Sequence, residues 1–463
     1  MHMSMGSDRT TAIAWPTLAQ AMRGLLLQPG EAGYDEHRRV WNGAIDRHPL
    51  AIARCADAAD VAAAVTFAAR GRIPMTVRGG GHNVAGLAVR DGTLMIDLGM
   101  MNRVDVDPAS RTVRVGGGAL WQEVDAATQP HGLATTGGFV STTGVGGYTL
   151  GGGVGWLMRR CGLAVDNLLE AEVILADGSR VVASEHQHAD LFWALRGGAG
   201  GGGVVTRFTY RLHAVGEIYA GIAFHPLEAA GDLLRAFRAF TPTAPEALTT
   251  MLVFTTIPPL PFVPVEAHFR RALALAWCWS GEPGEGANAL QPLLESGAPL
   301  ASHAGVMPYA SWQQTFDPSA PHGDHYYWTT SQLDALDDAL IDELVAIAAS
   351  PPDPFCEVHV HHLGGAVATV SPSATAFSHR DAPFFINVIG HAGAAERYAS
   401  VRDWVREARS TLAPHARAGM QPNFTGEVSD LDSHAHAADT ETRLKAVRSH
   451  YDPQGLFALV RTP

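Results

Sequence analysis

Glycine is what most restricts the folds open to this chain. Three glycine clusters stand out: Gly79-Gly80-Gly81 followed by His82 and Asn83, the stretch from Gly144 to Gly155, and Gly197 to Gly203. Glycine has no Cβ, so successive backbone N–H groups can converge on one point with no side chain in the way. Such nests bind phosphate oxygens, which makes a diphosphate-bearing cofactor the natural guest. Tight turns alone are the plainer alternative for any one cluster. Gly198, Gly200 and Gly203 fit the letters G-x-G-x-x-G, but the surroundings do not. A helical pattern, Asp190 to Leu195, precedes them and a β-branched strand, Val204 to Leu212, follows. A dinucleotide loop of the NAD type follows a strand and opens a helix, so that fold is excluded.

The first half reads as strand-rich with glycine loops. A helix is expected over Ala59 to Arg70, and strands over Pro74 to Val77, Leu94 to Leu98 and Thr112 to Val115. Asp177-Gly178 marks a hairpin between Val173–Leu175 and Arg180–Val182. Past Glu217 the pattern changes. Helices are expected over Glu228 to Phe240, Leu333 to Ala349, Ala394 to Thr411 and Glu441 to Tyr451. Apolar strands are expected over Ala272 to Trp279, Cys356 to His362 and Phe384 to Ile389. The net charge is −13 with no Lys/Arg run, which argues against nucleic acid as a partner. No apolar stretch approaches the roughly 20 residues of a membrane helix. Cys55, Cys161, Cys278 and Cys356 are widely spaced and suit a reducing cytoplasm. Zinc-protease, nucleophile-elbow and Walker motifs are absent.

Val77-Arg78-Gly79-Gly80-Gly81-His82-Asn83 resembles the flavin-attachment motif of the vanillyl-alcohol-oxidase superfamily, and in particular of its bacterial berberine-bridge-like FAD-linked oxidases. Gly144-Val145-Gly146-Gly147, Gly151 to Trp156, Gly162 to Asn167 and Tyr451-Asp452-Pro453 resemble the same family, in its order, over essentially the whole chain. The resemblance implies an α+β fold: a two-part, PCMH-type FAD-binding domain plus a substrate domain with an antiparallel sheet covered by helices. The expected division is residues 1–212 for the FAD domain, 213–412 for the substrate domain and 413–463 for a segment returning to the FAD domain. It also implies FAD held by a single 8α-histidyl bond at His82. Relatives that add a cysteinyl bond carry the cysteine where Val140 stands here, so none is expected, and Cys161 reads as a packed thiol. Expected cofactor-binding residues are His82, Arg78, Gly79, Gly80, Gly81, Asn83, Thr142, Thr143, Gly144, Gly146, Gly147, Gly151, Val204, Asn423 and Tyr451.

The implied activity is oxidation of a small organic metabolite, secondary metabolites included, by hydride transfer to the flavin, with O2 as acceptor. A flavin-dependent monooxygenase, a carbohydrate oxidase and a non-catalytic flavoprotein are the alternatives. Sugar-oxidising relatives use a Tyr-x-Asn tyrosine as base, but Gln421-Pro422-Asn423 stands here. The plant enzymes' Glu or Gln falls at Asn387. Glu357, His359 and His361 alternate along a strand and share a face. They are base candidates, with Glu357, His361 and Thr143 the expected catalytic residues. Metal chelation and a solvent-facing polar surface are the rival readings of the histidines, and a loop role is the rival for Thr143. Tyr309, Tyr326, Tyr327 and Trp328 read as cavity or core aromatics. The oligomeric state stays open.

Overall fold

The computed structural model describes residues 13–200, 202–419, 421–427 and 436–457. Four short strands lead: β1 (Leu25–Leu27), β2 (Ala51–Arg54), β3 (Met75–Arg78) and β4 (Leu94–Asp97). They form one sheet in the order β1-β2-β4-β3, with β4 parallel to β2 and to β3. The helix Ala58–Gly71 makes the crossover from β2 to β3. Its start is set by Asp57, whose carboxylate accepts from the N–H groups of Ala59 and Asp60. Its buried Val61, Ala64, Val65 and Ala68 recur at helical spacing and pack on β2 and β4.

The chain continues through β5 (Val104–Asp107), β6 (Thr112–Gly116), β7 (Leu133–Ala134), β8 (Leu168–Leu175), β9 (Arg180–Ser184), β10 (Gly203–Arg211) and β11 (His213–Ala214). An antiparallel sheet takes the order β5-β6-β10-β8-β9, and β7 pairs with β11. The β8–β9 turn falls at Asp177-Gly178, with Gly178 at φ 83°.

A seven-stranded antiparallel sheet follows: β12 (Glu217–Pro226), β13 (Leu248–Thr256), β14 (Arg271–Trp279), β15 (Ala301–Pro308), β16 (His325–Leu333), β17 (Glu357–His362) and β18 (Phe384–Ala392), in the order β15-β12-β14-β13-β17-β18-β16. Side chains alternate between its faces. Leu252, Leu275, Val358, Val360, Ile386 and Val388 point to one face and pack under the helices Ala230–Phe240, Asp338–Ala349 and Tyr398–Leu412. Met251, Val253, Ala274 and Ala276 point to the other and pack against Ala134, Trp156 and Leu157 of the first half. This second face therefore looks into the junction between the two halves.

Two buried cations tie that junction. Arg159 donates to the carbonyls of Leu248 and Leu363 and to His362 Nε2. Arg380 holds Asp166 through both carboxylate oxygens, at 2.6 and 2.9 Å. The C-terminal segments pack on the first half. Leu444 and Val447 lie against Trp193 and Ala194, and the Met75 N–H donates to the Leu456 carbonyl at 2.9 Å.

One expected helix is corrected. Leu333 ends β16, and the helix begins only at Asp338. Asp337 accepts from the Leu340 N–H at 2.8 Å and so caps the helix four residues past the expected start.

Candidate active site

The three glycine clusters meet. Gly79 to Gly81, then Gly144, Gly146, Gly147 and Gly151, then Gly200 and Gly203 all line one cavity of about 270 Å³. The missing side chains set the approach of the loops. A Cβ on Gly144 would stand 2.3 Å from the Gly80 nitrogen, and one on Gly80 would stand 2.6 Å from Gly144 Cα. A Cβ on Gly147 would meet no atom within 4 Å and would project into the cavity. Among the described residues, no N–H from Gly79 through Asn83 donates to a main-chain carbonyl. Those donors are free for a phosphate group.

His82 lines the same cavity. Its ring stacks on Trp41 with centroids 4.3 Å apart, and Trp41 stacks on Tyr326 at 3.8 Å. The Trp41 N–H donates to the Gly81 carbonyl at 3.0 Å. Asn42 donates to the carbonyls of Val84 and Tyr326 and accepts from the Tyr326 N–H, which clamps the His82 loop to β16. Burial pushes the His82 pKa down to about 4. The imidazole is therefore neutral at pH 7, with the lone pair a nucleophile needs. Nothing in the sequence pointed to Trp41.

Asn83, Thr143, Val204 and Asn423 also line the cavity. Thr143 stands on a loop fixed by Asp317, which accepts from the Ser141 N–H and hydroxyl at 2.7 and 2.6 Å. Asn423 donates to the Tyr148 carbonyl at 2.8 Å, and its Oδ1 would lie 1.9 Å from a Cβ on Gly151. Arg78, Thr142 and Tyr451 are not among the lining residues. Arg78 donates to the His37 carbonyl, and the Thr142 hydroxyl is 3.5 Å from His82 Nε2. Tyr451 stands behind the third loop, its Cβ 3.4 Å from a Cβ on Gly202, and donates to Asp190 at 2.9 Å.

One residue of the large sheet reaches the cavity. Trp328 lines the cavity, and register carries its level across Ile389 to Glu357. The next level runs from Thr330 through Asn387 to His359, and the one beyond from Gln332 through Phe385 to His361. Glu357, His359 and His361 therefore share the face that looks into the junction. His361 stacks on Phe385 at 4.1 Å and touches Phe139 and Phe424, which both line the cavity. The levels on both sides of His359 thus reach cavity-lining residues. Tyr326 is the stack partner of Trp41, whereas Tyr327 points to the helical face and bonds Glu427. Tyr309 is buried in the core.

Glu357 and His359 form a pair. His359 Nε2 is 2.8 Å from Glu357 Oε2, and the Thr255 hydroxyl donates to Glu357 Oε1 at 2.6 Å. Burial pushes the Glu357 carboxyl up, but the His359 bond and charge, Thr255 and Arg271 outweigh it and hold it below the usual range. Glu357 keeps 21% of its side chain accessible, but Glu357, His359 and His361 are not themselves among the residues that line the cavity. No group of three or more possible metal ligands occurs among the described residues.

Burial also holds His361 well below its ordinary basicity, His362 down to about 3 and His436 down to about 4. These three are neutral in the fold but take protons in the unfolded chain below about pH 6.5. The unfolded state then binds more protons, so stability falls as pH drops from 6.5 toward those lower values. The slope is about 1.4 kcal/mol per pH unit for each histidine. The urea midpoint at pH 5 is expected below that at pH 7; equal midpoints would contradict the burial of these rings.

Comparison with known proteins agrees with this geometry. Residues 49–184 match the family model described as FAD binding domain. An FAD-linked oxidoreductase of Dictyostelium discoideum is 26% identical over 443 residues, covering 95% of this chain and 94% of its own length. The (R)-6-hydroxynicotine oxidase of Paenarthrobacter nicotinovorans is 27% identical over 465 residues, covering 94% and 96%. Among solved structures, the Physcomitrella patens BBE-like 1 protein superimposes with a TM-score of 0.85 at 21% identity, over 96% of this chain and 97% of that one. A glucooligosaccharide oxidase of Acremonium strictum, described with 6-S-cysteinyl, 8α-N1-histidyl FAD, gives 0.84 at 24% identity, over 95% and 96%. With the FAD binding domain matched, full-length relatives on both sides and the glycine loops closed around one cavity, this chain is an FAD-linked oxidoreductase with the berberine-bridge-like fold.

Proposed function

We propose that the protein is an FAD-dependent oxidase that carries its flavin on His82 through a single 8α-histidyl bond and oxidises a small organic molecule between the flavin and the β16–β18 face. The observation that carries this reading is the convergence of His82 and all three glycine clusters on one cavity. The cradle suits FAD: its loops offer unpaired N–H groups, and the Gly147 position leaves room that a side chain would fill. Bound FAD supplies a hydride acceptor that O2 can regenerate. Val140 lines the cavity where a second, cysteinyl anchor would stand, while Cys161 packs with Trp156 and Leu157 and burial pushes its thiol up to about 11. Both features favour one bond. The four cysteines, all buried and free, suit a reducing compartment such as the cytoplasm.

The chain's own residues handle the proton. As a hydride leaves the substrate carbon, the adjoining O–H or N–H proton passes to His359 Nδ1, and the product is the carbonyl or imine. Glu357 positions His359 through the Nε2 bond and stabilises the imidazolium that forms. His361, neutral and enclosed by aromatic rings, serves as a polar wall rather than a base. Thr143 presents its hydroxyl to the cavity as a hydrogen-bond donor. Gln421, buried with its N–H on Thr330 Oγ1, stands in the place of the sugar oxidases' tyrosine, which disfavours a carbohydrate substrate.

Acid precipitation tests the anchor. The yellow colour is expected in the pellet, with the flavin mapped to the His82 peptide; free FAD in the supernatant would end the covalent reading. Screening by oxygen consumption then supplies a substrate. With it, H359A is expected to slow flavin reduction by about 10²–10⁴-fold while KM changes little, and added imidazole to restore part of the rate. An unchanged reduction rate would remove His359 from the mechanism.

A further inference from the structure

A second cavity, of about 500 Å³, lies away from the flavin cradle and is lined by Ser110, Arg111, Thr112, Arg160, Leu169, Arg211, Leu212, His213 and Ala214. No carboxylate is among these residues. Arg111, Arg160 and Arg211 carry three positive charges around it, and among the described residues none of the three forms an ion pair. Three unpaired guanidinium groups around one hollow repel each other, and an anion there relieves that repulsion.

The fold holds the groups in place. Arg211 pairs in register with Thr112, and the Leu212 N–H donates to the Arg111 carbonyl at 2.8 Å, so both arginines issue from adjoining strand ends. Arg160 donates to the Ser280 carbonyl and so reaches from the first half to the sheet of the second. His213 Nε2 is 2.6 Å from Asn167 Oδ1. The Asn167 amide nitrogen donates to the carbonyls of Cys161 and Leu163, so its oxygen accepts and His213 carries its proton on Nε2. That fixes the ring and turns the other nitrogen away from Asn167. The hydroxyls of Ser110 and Thr112 stand 2.8 Å apart at the rim. Burial, then the charges of Arg211 and Arg160, push His213 below its ordinary basicity, which places both guanidinium groups within its field.

We infer that this hollow is a second anion site, distinct from the flavin cradle, that takes a di- or polyphosphate group on Arg111, Arg160 and Arg211. Arginine favours this chemistry because its planar fork matches phosphate oxygens in pairs. The size favours more than one phosphoryl group, since a liquid water takes roughly 30 Å³ and this hollow holds many. The hollow is lined by the first half alone, and Arg160, which also bonds the Ser280 carbonyl, links it to the second.

Calorimetric titration of the FAD-loaded protein with pyrophosphate, at fixed ionic strength, tests this. One site with a sub-millimolar Kd is expected, with the flavin absorption spectrum unchanged. An R111A/R211A double variant, which keeps Arg160 on Ser280, is expected to bind at least tenfold more weakly while retaining its flavin and melting temperature. Absence of binding, or equal binding by the double variant, would overturn the inference. So would a change in the flavin spectrum or release of FAD, because pyrophosphate would then be competing at the glycine loops. Inorganic phosphate at the same ionic strength is expected to bind more weakly than pyrophosphate; equal affinity would reject the need for two phosphoryl groups.

Discussion

An H82A variant, precipitated in acid, is expected to give a colourless pellet and a yellow supernatant, whereas the unaltered protein carries essentially all its flavin down. The effect is close to all-or-none because, among the residues that line the cavity, His82 is the one imidazole, there is no thiol, and burial holds the Tyr148 phenol neutral. Its neighbours do not substitute. Val140 and Thr143 line the same wall without a suitable nucleophile, and Cys161 lies in an apolar cluster with its thiolate disfavoured. The variant still binds FAD, because the glycine loops and Asn423 are untouched, so the purified protein is yellow before acid. It also loses the stack on Trp41, an aromatic contact worth about 0.5–1.5 kcal/mol, and a modest drop in melting temperature accompanies the change. Flavin still attached to the H82A polypeptide would show that another residue forms the bond.

The second large effect is expected from G144A. The added Cβ would lie 2.3 Å from the Gly80 nitrogen, and the atom it meets is backbone, which cannot rotate aside. The two loops must separate, at a cost of about 1–3 kcal/mol for overpacking. Since both loops line the cradle, the flavin-to-protein ratio of the purified variant is expected to fall at least about tenfold, together with the melting temperature. G147A provides the contrast. Its Cβ meets nothing within 4 Å, so the apoprotein is expected to melt as before while flavin content falls. If G144A is purified with full flavin and an unchanged melting temperature, the close loop contact is not as described.

Much of this was legible in the sequence where local chemistry decides structure. The helix Ala58–Gly71 and the Asp177-Gly178 hairpin are each fixed by their own cap, turn and apolar spacing. The glycine clusters announced a cradle because absent side chains are visible in a sequence. The β-strands β12, β13, β15 and β16 were not foreseen. Segments such as Leu248–Thr256 bury nearly every residue and show no alternation, because helices cover one face and the other half covers the second. The period of β17 placed Glu357, His359 and His361 on one face, yet only the register with β16 and β18 tells that the face looks at Trp328 and Phe424. The Glu357–His359 bond and the Trp41 stack under His82 depend on side chains meeting across folded elements, which no local pattern encodes.

The cradle draws on widely separated segments: Met75 and His82, then Trp328, then Pro422, Asn423 and Phe424, and last Phe457. A growing chain on the ribosome therefore has no complete cavity until Phe457 has emerged. The full set of lining residues is thus offered only by a molecule that has brought Phe457 against the glycine loops, and a product cut short before it lacks part of the wall. Colour in a preparation thus reports finished, correctly closed molecules, so flavin absorbance per polypeptide doubles as a census of folding.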